Sequence, residues 1–508
     1  MKNIDQQIIQ QIDPMAASSL PAVTTEFLGR VTVFTISSCR HCKRAKFFLE
    51  EHNVPFVEIN LDQHPERRAE MIALTGKHTV PQIFFNEKHV GGADELVSLQ
   101  PDSFRSLVEH ARDYPADERS PLLCVSVRSP ESNSLIHCEP DEYYQLMKRL
   151  HDADNGTEPV FRPGDRVHGF RTHPLSFTGR ELVAWLSDIR VLDTTRSKAV
   201  DIGNELVQRL YIQPVSKKRR VFSDDDALYR LVTHGKARAL NLASLAVCES
   251  PAPDMVGERI RRSILALYER YLSEDGQTVN YDGIRQSDEW SAFLQHTYEL
   301  QRLDLSQLSR EQTLSFFINV YNVLVIHTTI VRGVPTGLWK RFKFFSKNTY
   351  VIGGNAYSLN DIENGVLRGN SSPPFGWSKP FGPGDPRLRF ALPSPDPRIH
   401  FALVCGAKSC PAIRTYSATH IDDELNSATN AFLDSGGIVM KKRHIYLSKI
   451  FDWYAADFGG SNRQILEWIL DYLTPARQIQ LRALLSSEQY TLSYLSYNWT
   501  SNGKKASL

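Results

Sequence analysis

At 508 residues the chain is too long for one hydrophobic core, and roughly three domains of about 150 residues each are expected. Its composition, 41% hydrophobic and 23% charged with a net charge of +1, is that of a soluble globular protein and gives no reason to expect nucleic acid or a membrane as partner of the whole chain. Seven cysteines in so long a chain do not make a disulfide framework, which excludes a small secreted scaffold and points to a reducing, cytoplasmic compartment.

Residues 1–28 are polar, then Ala/Ser/Pro-containing, and read as a flexible N-terminal arm without the basic start and apolar run of a signal peptide. From Arg30 a repeating order begins: strand 31–34, helix 42–52, strand 56–60, helix 65–75, strand 82–85, short strand 88–90 and a helix from Asp94. Strands alternating with helices predict an α/β layer on a mixed sheet over residues 29–113.

The chemistry of this first domain is concentrated in Cys39-Arg40-His41-Cys42, where a strand gives way to a helix. That junction puts Cys39 at a helix N-terminus, whose free N–H groups and dipole favour a thiolate, with Arg40 and Lys43 adding positive charge. Cys42, one turn further in, is placed to attack a mixed disulfide formed at Cys39. The chemistry requires the Cys39 sulfur to be accessible and anionic at neutral pH. Thr79-Val80-Pro81 precedes the strand QIFF, with an X-Pro bond suited to the cis form, and Gly91-Gly92-Ala93-Asp94 offers N–H groups at a strand-to-helix turn. Lys77 and Arg68 supply a positive rim. A zinc site is not expected, since the sequence has no second CxxC and its only other close pair is Cys405 and Cys410.

Residues 30–112 resemble a glutaredoxin, through the strand–CxxC–helix, the TVPQIFF segment and the GGADEL segment in that order. The resemblance implies a thioredoxin-like fold, with Cys39 as nucleophile and Cys42 as resolving thiol. It also implies that Thr79, Val80 and Pro81 contact the glutathione backbone, and that Gly92, Ala93 and Asp94 hold its γ-glutamyl end. Arg40-His41 stands where the family usually has Pro-Tyr, and Ile36 where it often has a lysine; Arg40 is the candidate replacement for that charge, and Lys77 joins the glutathione-binding residues. Glutathione is the implied reductant, with protein disulfides or glutathionylated proteins as substrates. An iron–sulfur cluster bridged between two chains by Cys39 and glutathione stays open as a second use of the thiol.

Residues 114–140 read as a linker. Residues 141–235 follow a helical logic: Phe177, Leu182, Val183, Trp185 and Leu186 line one helix face, Ala199, Leu206, Leu210 and Tyr211 the next, and a basic hairpin near 212–222 carries Lys217–Arg220. The segments FTGRELVAWL, GNELVQRLYI and VFSDDDALYRL resemble a DEP domain, a winged-helix-like module. That implies an adaptor in intracellular signal transduction, touching an acidic membrane or a receptor and thus peripheral to a membrane.

Residues 236–285 read as a helical linker, 286–458 as a mixed α/β domain and 459–508 as a C-terminal helical extension and tail. Leu314–Val331 is apolar on nearly every side and predicts a buried central helix, with Asn319, Asn322 and His327 as its polar strip. The segment 398–404 alternates like a strand carrying His400 and leads into Cys405 and Cys410. FFINVYNVLVIH, YSLNDIENGVLR, DPRIHFALVCGAKSCPAIR and LSKIFDWYAADFG resemble the domain of unknown function 547, which has no assigned activity. From the residues, a second site is conceivable, with Cys410 or Cys405 as nucleophile, His400 or His327 as base and Asn319 as orienter.

The reading is therefore a multidomain α/β and α+β protein: a glutathione-linked disulfide reductase joined to a DEP-like adaptor and an uncharacterised third domain. Its alternatives are a redox-sensing scaffold without turnover, or a C-terminal Cys–His hydrolase or transferase regulated by the redox domain.

Overall fold

The computed structural model describes residues 27–36, 39–62, 64, 66–122, 142–152, 163–168, 171–188, 192, 194–216, 221–232, 239–244, 252–273, 279–335, 337–374, 376, 378–404, 414, 416–487 and 489–497. Residues 1–26 of the arm, most of the linker to 140, the basic run 217–220 and both Cys405 and Cys410 lie outside them.

The first domain is built on β1 (Val31–Thr35), buried along its whole length. It is followed by α1 (Arg40–Glu51), β2 (Phe56–Asn60), α2 (Arg67–Thr75), β3 (Gln82–Phe85), β4 (Lys88–Gly91), α3 (Ala93–Val97) and α4 (Pro101–Asp113). The sheet order is β2-β1-β3-β4, with β1 parallel to β2 and antiparallel to β3. Strand alternation divides the core: Val31 and Val33 pack with Ala45, Leu49 and Leu96, while Phe34 packs with Cys39, Cys42, Ile59 and Met71. This is a thioredoxin-like sheet with its dithiol at the end of the central strand.

In the middle domain come α5 (Tyr144–Asp152), β5 (Gly164–His168), β6 (Arg171–Thr178), α6 (Gly179–Leu186), α7 (Arg196–Gln208), β7 (Ile212–Pro214) and β8 (Leu228–Leu231). Among the described residues, 212–214 pair with a strand beyond the expected end at 222: β7 is antiparallel to β8, because Tyr211, Ile212, Tyr229 and Leu231 bury their side chains in one core. At the start of α6, Thr178 Oγ1 accepts the Glu181 N–H at 3.1 Å and Glu181 reaches back to the Thr178 N–H at 2.7 Å. A Cβ on Gly179 would lie 1.9 Å from the Ser223 carbonyl oxygen. Gly179→Ala is therefore expected to destabilise this domain by about 2 kcal/mol. The check is its urea midpoint, which stays at the wild-type value only if the Ser223 backbone yields freely.

The C-terminal region begins earlier than the expected boundary at 286. Helix α8 (Pro253–Arg270) and α9 (Tyr281–Arg285) share a core with α10 (Asp288–Tyr298) and the central α11 (Arg310–Arg332). The reason is the apolar face Val256, Ile260, Ile264 and Leu267, which lies in the same core as Phe316 and Val320. By length and composition α11 could cross a membrane, yet 94% of its apolar window is buried inside the fold.

After α12 (Leu338–Lys347), the hairpin β9 (Thr349–Ile352) and β10 (Asn355–Ser358) leads into a wide π-helical turn, Asp361–Leu367, capped by Ser358. The segment read as a strand near 398–404 is a 3-10 turn, Pro397–Phe401, because Asp396 accepts the Arg398 N–H and holds its guanidinium. Its apolar residues are buried together, without the alternation of a two-faced strand. Then come α13 (Ile421–Phe432), β11 (Ile438–Lys441), β12 (His444–Leu447), α14 (Lys449–Trp453), α15 (Asn462–Leu470), α16 (Pro475–Ser487) and β13 (Thr491–Tyr494). No core boundary falls at 458/459: Ile465, Ile469 and Leu481 pack with Phe401, Phe451 and Phe458, and β13 pairs with β12.

Candidate functional site

Cys39 is the N-cap of α1, and its sulfur accepts the Cys42 backbone N–H at 3.4 Å. A cap needs a side-chain acceptor for an unsatisfied N–H of the first turn, and a thiolate fills that role. The Cys42 thiol also donates to the Cys39 sulfur. Together with the Cys42 and His41 N–H groups and the charge of Arg414, this outweighs burial and holds Cys39 below the ordinary thiol range. Cys42 moves the other way: burial, and its bond to Cys39, keep its proton on well above that range. The two sulfurs thus differ in their hold on a proton, weaker at Cys39 and stronger at Cys42.

Around them, the Val80–Pro81 peptide bond is cis, and Val80 packs against the cluster that holds both cysteines. Thr79 is fixed by the Gln82 amide, which donates to its carbonyl at 2.9 Å and its hydroxyl at 3.3 Å. Gly92 caps α3, and its N–H is taken by Glu95 at 3.0 Å; Ala93 is buried behind it. Asp94 is exposed and paired with Arg44 at 2.5 Å. Lys77 is also exposed, and its charge is felt at His89. Arg40 opens α1, and its side chain is outside the described residues.

The structure departs from the accessible sulfur that the sequence predicts: Cys39 is 7% exposed and Cys42 2%. The physical reason is the domain's own core, in which both cysteines pack with Phe34, Ile36, Ile59, Met71 and Phe84, and the C-terminal region lies against the same domain. Lys43 Nζ donates to the Leu272 carbonyl at 2.6 Å and the Glu269 carbonyl at 3.3 Å. On the other side Arg68 Nη1 donates to Ser427 Oγ at 3.0 Å, and His78 lies 3.5 Å from Asn430. A cluster shared between two chains needs the sulfur at an open face, so these residues do not fit the iron–sulfur use. Among the described residues no three His, Cys, Asp or Glu side chains gather as a metal site.

Of the second set of candidate residues, Cys405 and Cys410 lie outside the described residues, and Asn319, His327 and His400 each have separate partners. His327 bonds Tyr350 Oη at 2.6 Å inside a cage of Trp290 and Phe293, where burial lowers its pKa to about 3. Asn319 holds the Tyr416 carbonyl at 2.7 Å, while Asn322 binds the Ala402 carbonyl and the Val404 N–H, both at 3.0 Å. The asparagines therefore brace the chain on either side of 405–413.

His400 has other partners, which sequence reasoning missed. Its Nε2 lies 2.8 Å from Asp457, which also takes two hydrogen bonds from Arg368 at 2.6 and 2.8 Å. Tyr454 stacks on the His400 ring and donates to Glu363 at 2.6 Å. Burial outweighs the carboxylate and keeps His400 below its ordinary pKa. Glu363 and Arg368 come from the π-helical turn and its end, and neither spacing nor periodicity links them to His400. Among the described residues no cysteine, serine or threonine side chain is hydrogen-bonded to His400.

Three family models match in order along the chain: glutaredoxin over residues 31–90, the domain found in Dishevelled, Egl-10 and Pleckstrin (DEP) over 162–231, and a protein of unknown function, DUF547, over 305–433. The first segment is similar to glutaredoxin 3 of Escherichia coli (strain K12), 40% identical over 72 residues, which are 14% of this chain and 87% of that protein. A glutaredoxin of Pseudomonas aeruginosa is 46% identical over 70 residues, 14% of this chain and 83% of the relative. Glutaredoxin 1 of Rickettsia typhi is 39% identical over 77 residues, 15% and 74% respectively.

Proposed function

The chain belongs to the glutaredoxin family through its first domain, and from that premise we propose that it is a glutathione-linked thiol–disulfide oxidoreductase coupled to a DEP adaptor. The observation that carries this reading is the capped, hydrogen-bonded Cys39 sulfur beside a protonated Cys42. The Cys39 thiolate attacks the glutathione sulfur of a protein–glutathione mixed disulfide. The protein sulfur leaves as a thiolate and takes a proton, and a Cys39–glutathione disulfide remains. A second glutathione thiolate then attacks the glutathione sulfur, forming glutathione disulfide and returning the Cys39 thiolate. For a protein disulfide, Cys42 attacks the mixed disulfide at Cys39 and releases the reduced protein. Two glutathiones then reduce the Cys39–Cys42 bond.

A reducing cytosol suits this chemistry, since glutaredoxins lie at about −200 to −230 mV and stay mostly reduced there. We place the chain in the cytoplasm, with the DEP domain offering contact to an acidic membrane or a receptor. The burial of Cys39 favours a second reading, a redox-sensing scaffold without turnover. Glutathione-coupled release of glutathione from a glutathionylated peptide separates the two. Steady turnover by the full chain supports the enzyme; a single stoichiometric exchange supports the sensor.

A further inference from the structure

The C-terminal region carries a helix whose outer face the fold leaves open. In α12, LWKRFKFFSK, Phe344 is buried and Phe345 half-buried against the central core, which pins one side of the helix. At about 100° per residue the opposite side spans an arc of about 160°, from Phe342 through Trp339, Lys343 and Lys347 to Lys340. All five are exposed. Trp339 is 68% exposed and Phe342 61%, and among the described residues no other Trp or Phe is exposed. The two rings stack with their centroids 5.9 Å apart, and Lys343 Nζ lies 5.4 Å from the Trp339 centroid. A paired aromatic surface left in water marks a binding face.

The charge along this segment has one sign. From Gln312 to Asn360 the chain carries Arg332, Lys340, Arg341, Lys343 and Lys347, and no Asp or Glu. Helix α12 packs on β10, which is uncharged, and Asp361 just beyond it is held by Ser358 and Arg387. An acidic occupant therefore fits, and the residue types choose between a protein and a bilayer. Protein interfaces favour Arg and are poor in Lys. On α12 the exposed cations are the three lysines, while Arg341 lies on the half-buried side. Lysines around a Trp–Phe pair match a helix lying in the headgroup layer, where the ammonium groups reach lipid phosphates and the rings enter the acyl boundary.

We propose that the outer face of α12 is a docking surface for an anionic lipid bilayer, with Trp339 and Phe342 as the inserted rings and Lys343 and Lys347 as the charges that hold the headgroups. The contact is peripheral, since the neighbouring apolar helix α11 is taken up by the core. It rests neither on the glutathione reading nor on the DEP domain.

The test is co-sedimentation of the full chain with vesicles of phosphatidylcholine alone and of phosphatidylcholine containing about 30% phosphatidylserine. The wild type is expected to bind the anionic vesicles at least about tenfold more strongly. Trp339→Ala with Phe342→Ala should lower that binding about tenfold. Lys343→Gln with Lys347→Gln should lower it by about the same factor, and raised salt should weaken what remains. Because all four side chains point outward, the urea midpoint of both double variants should stay at the wild-type value; if the aromatic pair fails to fold, the lysine pair reads the same binding.

A wild type that does not sediment with the anionic vesicles overturns the surface. Two double variants that sediment like the wild type also overturn it and leave any membrane contact to the DEP domain. So does concentration-dependent dimerisation that Trp339→Ala with Phe342→Ala abolishes in a chain without vesicle binding, which would make this face a contact between two copies.

Discussion

Cys39→Ser is expected to lose glutathione-coupled turnover by at least about a thousandfold, because a serine hydroxyl is not ionised at neutral pH and cannot form the mixed disulfide. Cys42→Ser should behave differently. Its hydroxyl can still donate to the Cys39 sulfur, so the Cys39 thiolate is retained and release of glutathione from a mixed disulfide continues within about tenfold. Reduction of protein disulfides needs the second sulfur and should fall to background in Cys42→Ser. The raised pKa of Cys42 has the same consequence in the wild type: as a thiol that holds its proton, it is a slow attacker, and glutathione has time to compete. Steady-state rates of both variants on a glutathionylated peptide and on a protein disulfide check this. Equal loss of both activities in Cys42→Ser would remove the division of roles.

Asp457→Asn is expected to cost about 3 kcal/mol of C-terminal stability, since it leaves the Arg368 guanidinium buried without its carboxylate. Burial alone would raise the Asp457 pKa, but the bonds from Arg368 and His400 outweigh it and leave the carboxyl at about 2, against an ordinary 3.8. A folded pKa below the unfolded one gives stability that is present above pH 3.8 and lost as pH falls through 2, worth about 2 kcal/mol. His400 acts in the same direction: its lowered pKa means that acid protonates the unfolded chain first. Urea unfolding from pH 7 down to pH 2 should therefore show a falling midpoint in the wild type and a flatter profile in Asp457→Asn. Parallel profiles would show that the network does not carry this stability.

Local grammar made the redox domain legible. A strand ending in Cys-x-x-Cys, a Val-Pro before a buried strand and a Gly-Gly at a helix start each act over a few residues, so they can be read without a fold. The same holds for Thr178 and Glu181 opening α6. What stayed hidden is joined at long range. His400 is a candidate by residue type alone; its partner Asp457 lies 57 residues away and Arg368 comes from a different turn. Asn319 and His327 share one apolar helix, yet one braces the Tyr416 backbone and the other bonds Tyr350 in an aromatic cage. The packing of the C-terminal region on the redox domain includes Arg68 meeting Ser427 across 359 residues, and no periodicity in either helix records that contact. Burial on all sides also misled the reading of residues 398–404, where an alternating pattern is a compact turn.

The most direct measurement is the pH dependence of iodoacetamide alkylation at Cys39 in the intact protein, with Cys42→Ser removing the competing thiol. Expected is a single titration with its midpoint below the ordinary thiol value of about 8.5. A midpoint at or above that value, or a sulfur that does not react at any pH while the protein stays folded, would contradict an activated thiolate at Cys39.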